Sequence, residues 1–395
     1  MIAAIVALQA TAVGAVPSGD LVASGPVPNG DELVDLQRIA KATGRPLNEV
    51  VNDIGWQNEF AIKATQIEQT FPDDFAAAGV TEGAVRQAWI GFRGAPPEGA
   101  RAILSELRGV SVEIRSEKGF SFHEVEAEAA RLHTGISARR DVVPGAVTTF
   151  DVETGEILIE VDGQGAADRA RLKDAASALV SAQQPSRRVV VRVADGLSVE
   201  NQTAYGGGRL EIPGSGSLAC TGGFTVRNTA NVRGTSTAGH CPNSMTFENY
   251  NGATEYSMST GVGHEGRWGD LQWHTVADTE VDDFYYDYSR ARDVASVANP
   301  VQGQTVCHFG QTSGAACNQV QDLSACVTVD GVQACRLVRM SSDTGAGGDS
   351  GGPWYYGNTA YGIHKGSVGT VFGSRDVWSR VTYLDEAIGV SVLTS

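Results

Sequence analysis

Apolar residues recur at two different periods along the chain, and the change falls near residue 200. Leu33, Leu36, Ile39 and Ala40 stand at helical spacing, which predicts a helix capped by Asp31 and stopped at Gly44. Residues 58–69 continue in that style. Trp89-Ile90-Gly91-Phe92-Arg93 reads as a strand, Pro96-Pro97 opens a helix to Leu107, and 110–115 alternates as a strand does. Residues 122–132 are helical, with Val125 and Ala129 inward. Residues 147–161 predict a hairpin turning at Thr154-Gly155, 166–182 a helix and 188–193 a strand. The first half is thus an α+β region.

Beyond residue 200 the pattern shortens. Runs of β-formers at 218–220, 223–227, 271–276, 333–339 and 361–364 are separated by Gly, Asn and Asp turns, which predicts an all-β barrel or sandwich. A short helix at 385–388 and a strand Val390-Ser391-Val392 close the chain. At the other end, residues 1–16 are apolar and uncharged, and Val13-Gly14-Ala15 offers small residues for a signal peptidase. The stretch lacks a basic start, so a truncated signal peptide is expected. Residues 17–30, rich in Pro, Gly and Ser, read as a linker. No segment has the run of apolar residues a transmembrane helix needs, so no membrane partner is expected. The expected division is 1–16 signal, 17–200 α+β region and 201–395 β domain.

Composition narrows the function. A formal net charge of −16 argues against nucleic acid, whose phosphates call for basic patches. All six cysteines follow residue 200, which points to disulfides and an oxidising compartment. A metal site ranks below this because no Cys-x-x-Cys pair or Cys/His cluster is present, and no cofactor is implied. One disulfide follows from turn geometry. Asp330-Gly331 signals a type I′ hairpin, and counting outward sets Cys326 opposite Cys335, with Cα atoms expected about 4.5–5.5 Å apart.

Three short motifs carry chemistry. Gly348-Asp349-Ser350-Gly351-Gly352-Pro353 surrounds a serine with glycines, so the N–H groups of Gly348 and Ser350 can face one hollow and form an oxyanion hole. Thr237-Ala238-Gly239-His240-Cys241 supplies a histidine upstream, and Gly269-Asp270-Leu271-Gln272-Trp273-His274 an aspartate between them. Taken singly, the histidine and the aspartate read equally as a structural histidine and a turn aspartate, and the serine motif less readily as a Gly-rich turn. Together, in the order His…Asp…Ser, they resemble the trypsin-like (chymotrypsin-fold) serine proteases, and most nearly the streptogrisin and α-lytic protease branch.

The resemblance implies a double β-barrel protease domain preceded by a pro-region that assists folding and blocks the site until cut away between about 193 and 205. It implies Ser350 as nucleophile, His240 as general base and Asp270 as its orienting carboxylate. It also implies bridges Cys220–Cys241 and Cys307–Cys317, secretion, a monomer, and protein or peptide substrates. His274 is expected to pack, and His264, Asp282 and Asp283 to lie in loops. His308 stands where the branch carries an arginine, so His308, Arg336 or Arg339 is expected to pair with Asp349.

The strand Tyr361-Gly362-Ile363-His364-Lys365-Gly366-Ser367 corresponds to a wall of the family's primary pocket. Relatives that cut after glutamate carry a histidine and a serine matching His364 and Ser367, so a preference for Glu or for large apolar residues is expected. Thr344 replaces the pocket aspartate of trypsin, which disfavours Lys/Arg. Lys365 replaces a serine that usually supports the aspartate. Two rivals remain: a catalytically silent homologue acting as a binding module, and a protease restricted to self-cleavage.

Overall fold

The protein was analysed as a computed structural model, which describes residues 28–83, 85–163, 169–194, 199–201, 207–248, 255–276, 281–329, 331–370 and 373–395. The expected signal peptide, most of the linker, most of the expected processing interval and Asp330 lie outside them.

The first helix, Gly30–Thr43, starts earlier than the spacing predicts. Asn29, not Asp31, is the cap. Its side chain accepts from the Glu32 N–H at 2.8 Å, and the Glu32 carboxylate accepts from the Asn29 N–H at 3.1 Å. Gly44 ends the helix in the left-handed conformation, at φ 67°. The pattern reading missed the short helix Leu47–Ile54 and the alanine-rich strand Phe75–Val80. Alanine has little β preference; the strand forms because Gln87–Phe92 pairs with it and its residues are buried. Ser111–Arg115 completes this sheet in parallel, reached through the helix Glu98–Leu104.

A second N-terminal sheet follows the helix Phe122–Ser137. It comprises the expected hairpin Ala146–Phe150 and Ile157–Asp162, with Val189–Ala194 parallel to the latter. This sheet does not end with the α+β region. Ala146–Phe150 pairs antiparallel with Gly314–Val329, Ala325 facing Thr149 and Thr328 facing Ala146.

The rest of the chain is β-structure. Thr305–Gly310, Pro353–Tyr356, Thr359–Thr370, Gly373–Arg380, Val332–Met340 and Gly314–Val329 are each paired with the next, and the last pairs back to the first. This ring is a closed barrel. The other sheet runs Val390–Val392, Thr225–Asn228, Arg233–Thr237, Gly269–Val276, Glu255–Gly266, Thr246–Glu248, Arg209–Ile212 and Ser217–Thr221. The expected α+β region and all-β double barrel are therefore present. The helix Leu384–Ile388 precedes the last strand as the sequence pattern implies.

The α+β region is tied to the β domain by buried polar groups. Asp35 accepts from Arg292 at 2.8 Å, and Glu126 from Arg380 at 2.5 Å, with all four side chains nearly inaccessible. Such pairs persist only where each charge has a partner. Buried His133 stands between Thr148 and Thr328, at 2.9 and 2.8 Å, across the seam between the two regions.

Three disulfides join Cys220–Cys241, Cys307–Cys317 and Cys326–Cys335. The last has a Cα separation of 3.9 Å, shorter than the hairpin count implies. The register runs as counted from Val329/Val332 to Val327/Ala334, then shifts at a bulge before Ala325/Leu337.

Candidate active site

The site lies where the two β-sheets meet. Asp270 is the second residue of Gly269–Val276 and is fully buried. Gly269 precedes it at φ 109°, and a Cβ there would stand 2.7 Å from the Ser379 hydroxyl. That hydroxyl accepts from the Asp270 N–H at 2.8 Å and donates to the Asp270 carbonyl at 3.2 Å. His240 follows the strand Arg233–Thr237 and is next to the disulfide-bonded Cys241. Its N–H donates to Asp270 Oδ1 at 2.8 Å, and its Nδ1 lies 2.6 Å from Asp270 Oδ2. On the other side of the ring, Nε2 lies 2.9 Å from Ser350 Oγ. The structure thus brings His240, Asp270 and Ser350 into one continuous hydrogen-bonded line.

Ser350 sits in a loop fixed from both sides. Its carbonyl accepts from the N–H of Thr221, in the sheet that ends at Ser217–Thr221, at 2.8 Å, and its hydroxyl oxygen lies 3.1 Å from the Lys365 carbonyl. Gly351 donates to the His364 carbonyl at 2.7 Å, and His364 to the Gly352 carbonyl at 2.8 Å. Two glycines are required here. Gly348 adopts φ 124°, and a Cβ on Gly351, at φ 91°, would stand 2.1 Å from the Thr221 carbonyl.

Lys365 does not line the pocket with its side chain. Its buried Nζ contacts Asp270 Oδ2 at 2.9 Å and Glu265 Oε1 at 3.2 Å. Burial alone would raise the Asp270 carboxyl, but the charges of His240 and Lys365 and their hydrogen bonds outweigh it and hold it well below the usual carboxylate range. Lys365 is itself held above its ordinary value: burial opposes its charge, and Asp270 and Glu265 more than compensate.

Asp349 overturns an expectation. No cation among the described residues neutralises it. It accepts instead from the N–H groups of Thr312, Ser313 and Ala346 at 3.0, 3.3 and 2.8 Å, and from the Ser313 hydroxyl at 2.5 Å. Four donors satisfy a buried carboxylate without a counter-ion. The three expected partners are engaged elsewhere. Arg336 pairs with Glu126, Arg339 with Asp322, and His308 Nε2 meets the Thr344 hydroxyl at 3.0 Å.

Beside Ser350, His364 is completely buried, and its Nδ1 accepts from Trp354 Nε1–H at 3.1 Å. Its ring stacks on His308 and Trp354. Burial, reinforced by repulsion from His308, lowers its pKa to about 3, so the ring is neutral. Gly366 pairs with Val377, and Ser367 faces Asp376 across the hairpin. Asp376, opposite Ser367, is the buried carboxylate that sequence reasoning missed. It is fully buried and accepts from Thr344 N–H at 2.9 Å, Thr344 Oγ1–H at 2.7 Å and Gly345 N–H at 3.2 Å. The Ser367 and Ser374 hydroxyls bond Asp343. Partial burial raises the Asp343 carboxyl, and the charge of Asp376, to which it is hydrogen-bonded, adds to this.

Other candidates fall outside this line. His274 is buried, and burial lowers its pKa to about 4. His264 and Asp283 lie in strands, not in loops as expected; His264 Nε2 accepts from the Trp268 N–H at 3.0 Å. Among the described residues no group of three His, Cys, Asp or Glu is placed to hold a metal.

A closed β-barrel facing a second sheet, with a serine, histidine and aspartate aligned between them, defines the chymotrypsin-like fold. No family model matches the chain. Individual proteins do. Serine protease 1 of Streptomyces fradiae is 29% identical over 312 residues, 77% of this chain and 78% of the relative. Streptogrisin-C of Streptomyces griseus is 27% identical over 82% of this chain and 70% of its own length. Glutamyl endopeptidase 2 of the same organism is 29% identical over 42% of this chain and 85% of its own. The chain is thus similar to the streptogrisins over most of its length, and these relatives support a serine endopeptidase. The 312 aligned residues exceed the length of the β domain, so the similarity extends into the α+β region.

Proposed function

We propose that the chain is the precursor of a secreted endopeptidase that cuts peptide bonds through Ser350, His240 and Asp270. The observation that carries this is the hydrogen-bonded line from Asp270 through His240 to Ser350, at 2.6 and 2.9 Å. Ser350 Oγ attacks the substrate carbonyl carbon while His240 Nε2 takes its proton. The N–H groups of Gly348 and Ser350 receive the oxyanion. His240 then protonates the leaving amine, and water hydrolyses the acyl-enzyme by the same route. Asp270, bonded to Nδ1, keeps the ring in the tautomer whose Nε2 accepts a proton.

Residues 17–200 act as the pro-region, behind a signal at 1–16. Two contacts support this role. Val199–Asn201 pairs antiparallel with Gly366–Val368, the strand beside Ser350, where an extended substrate would add. Ala146–Phe150 extends the closed barrel through Gly314–Val329. A barrel assembled from distant strands folds slowly, so a pre-formed edge for it to pair with assists folding. The cut that frees the enzyme then falls beyond Asn201. Three disulfides suit an extracellular product.

The pocket beside Ser350 favours a polar side chain before the cut. His364 Nε2 is buried and has no hydrogen-bond partner among the described residues. An apolar substrate side chain would leave it so, and a carbonyl or carboxylate oxygen would satisfy it. The test is labelling by a phosphonylating serine reagent. One adduct per processed molecule, on Ser350 and lost in His240→Ala, supports the reading. No adduct on an intact fold favours a silent binding module.

A further inference from the structure

We propose that the β domain carries a groove that docks an acidic helix of another protein, and that removal of the α+β region uncovers it. This goes beyond the endopeptidase reading and rests on its claim that residues 17–200 are cut away.

In the intact chain one helix fills the groove. Phe122, Glu126, Ala130 and Thr134 fall on a single i+4 row of Phe122–Ser137, and each meets the β domain. The Arg380 guanidinium lies over the Phe122 ring, 5.2 Å from its centre. The Glu126 carboxylate accepts from Arg380 Nη2 at 2.5 Å and from the Tyr383 hydroxyl at 3.1 Å. It also faces Arg336 Nε at 3.2 Å and is hydrogen-bonded to the Ser324 hydroxyl. Burial alone would raise this carboxyl, but Arg380 and Arg336 outweigh it and hold it below its ordinary value. Ala130 lines, with Arg267, Gln333 and Arg336, a cavity of about 400 Å3. Thr134 Oγ1 accepts from Gln333 Nε2 at 2.9 Å.

The receiving side is built within the β domain. The Arg336 guanidinium stacks over the Trp268 ring at 3.8 Å, and that of Arg380 over the Tyr383 ring at 4.7 Å, so contacts other than the helix position both. Among the described residues, Glu126 is the only carboxylate in an ion pair with either. Loss of residues 17–200 takes it away and leaves two guanidiniums, a phenol and a serine hydroxyl converging on one socket, with exposed Arg267 beside them. Convergent charged donors of this kind bind a carboxylate. The row also sets what carries it. A free anion matches one of four contacts, whereas a helix with an aromatic ring, a glutamate, a small residue and a hydroxyl at four-residue steps matches all of them. The groove adjoins the catalytic strand. Arg380 follows Ser379, whose hydroxyl bonds the Asp270 backbone, and Trp268 stands two residues before Asp270.

The test uses processed enzyme from the full chain, with Ser350 capped by the phosphonylating reagent so that no peptide is cut. The probe is a fluorescent peptide of residues 121–138, titrated by anisotropy beside its Glu126→Gln form. The glutamate peptide is expected to bind about tenfold more tightly or better, since the glutamine form loses the charge-assisted bonds. Arg336→Met enzyme should bring the two affinities together; if that variant is not recovered, the two peptides on the unsubstituted enzyme still decide. Equal binding of both peptides, or binding of neither, overturns the proposal and leaves the endopeptidase reading intact. Displacement of the peptide by acetate at the peptide's own concentration marks a small-anion site and overturns the docking of a helix. If the chain stays whole or Ser350 takes no adduct, the precursor reading fails, and this proposal with it.

Discussion

Lys365→Met tests the electrostatics of the site at its least expected point. The ammonium is buried 2.9 Å from Asp270 Oδ2 and 3.2 Å from Glu265 Oε1. Methionine keeps most of the volume and removes the charge. Asp270 then faces only His240 across a dry interior. Removing one partner of a buried ion pair costs about 3–5 kcal/mol, because the other charge stays buried without compensation. Glu265 is part-exposed and recovers water, so the loss belongs mainly to Asp270. The measurement is urea unfolding of the full chain in a Ser350→Ala background, which removes self-cleavage. We expect a loss of about 3 kcal/mol or more. In the active background the misplaced carboxylate should lower kcat/KM by about 100-fold, with Lys365→Arg recovering part of it. The acid limb of stability gives a second readout. Asp270 is depressed in the folded state, so its contribution is full above the ordinary carboxylate range and is lost as pH falls. Without Lys365 the folded carboxyl is less depressed, so that loss should be smaller and complete at higher pH. A change under about 1 kcal/mol with an unmoved acid limb would refute the reasoning.

Other outcomes follow from the same geometry. Glu126→Gln leaves Arg380 without its ion pair and should destabilise the precursor by about 3–5 kcal/mol in urea unfolding. His133, at about pH 3 in the folded chain against 6.5 unfolded, has a depressed pKa; its contribution is full above about 6.5 and is lost as pH falls toward 3, so acid should loosen the seam with the barrel, and His133→Gln should flatten that pH dependence. Replacing both Cys326 and Cys335 with serine should cost about 2–3 kcal/mol of stability, measured with and without reductant.

What was legible in the chain depended on how local its cause was. Helices with strong spacing and a stop such as Gly44 could be read directly, as could the His…Asp…Ser order, because each motif is a contiguous run. Phe75–Val80 could not, since its alanines become a strand only through tertiary pairing. Asp376 lay hidden for a similar reason. The position before Ser350 where a pocket carboxylate would stand holds Thr344, whereas Asp376 arrives from the next strand of the hairpin, opposite Ser367. Counting that hairpin outward would have found it. Asp349 was expected to need a cation because burial of a charge usually does; the loop at Thr312 and Ser313 supplies donors instead, and no sequence spacing announces that. Ser379 is a further case: from a strand distant in sequence it bonds the Asp270 backbone N–H and carbonyl, while Lys365 itself holds the carboxylate.

The most direct test of the central claim is the intact mass of the full chain after export from an oxidising host, compared with that of Ser350→Ala. The account predicts a product that has lost the α+β region and begins beyond Asn201, and a Ser350→Ala protein that keeps it. A wild-type chain that stays whole, or a Ser350→Ala chain cut at the same bond without added protease, would contradict it.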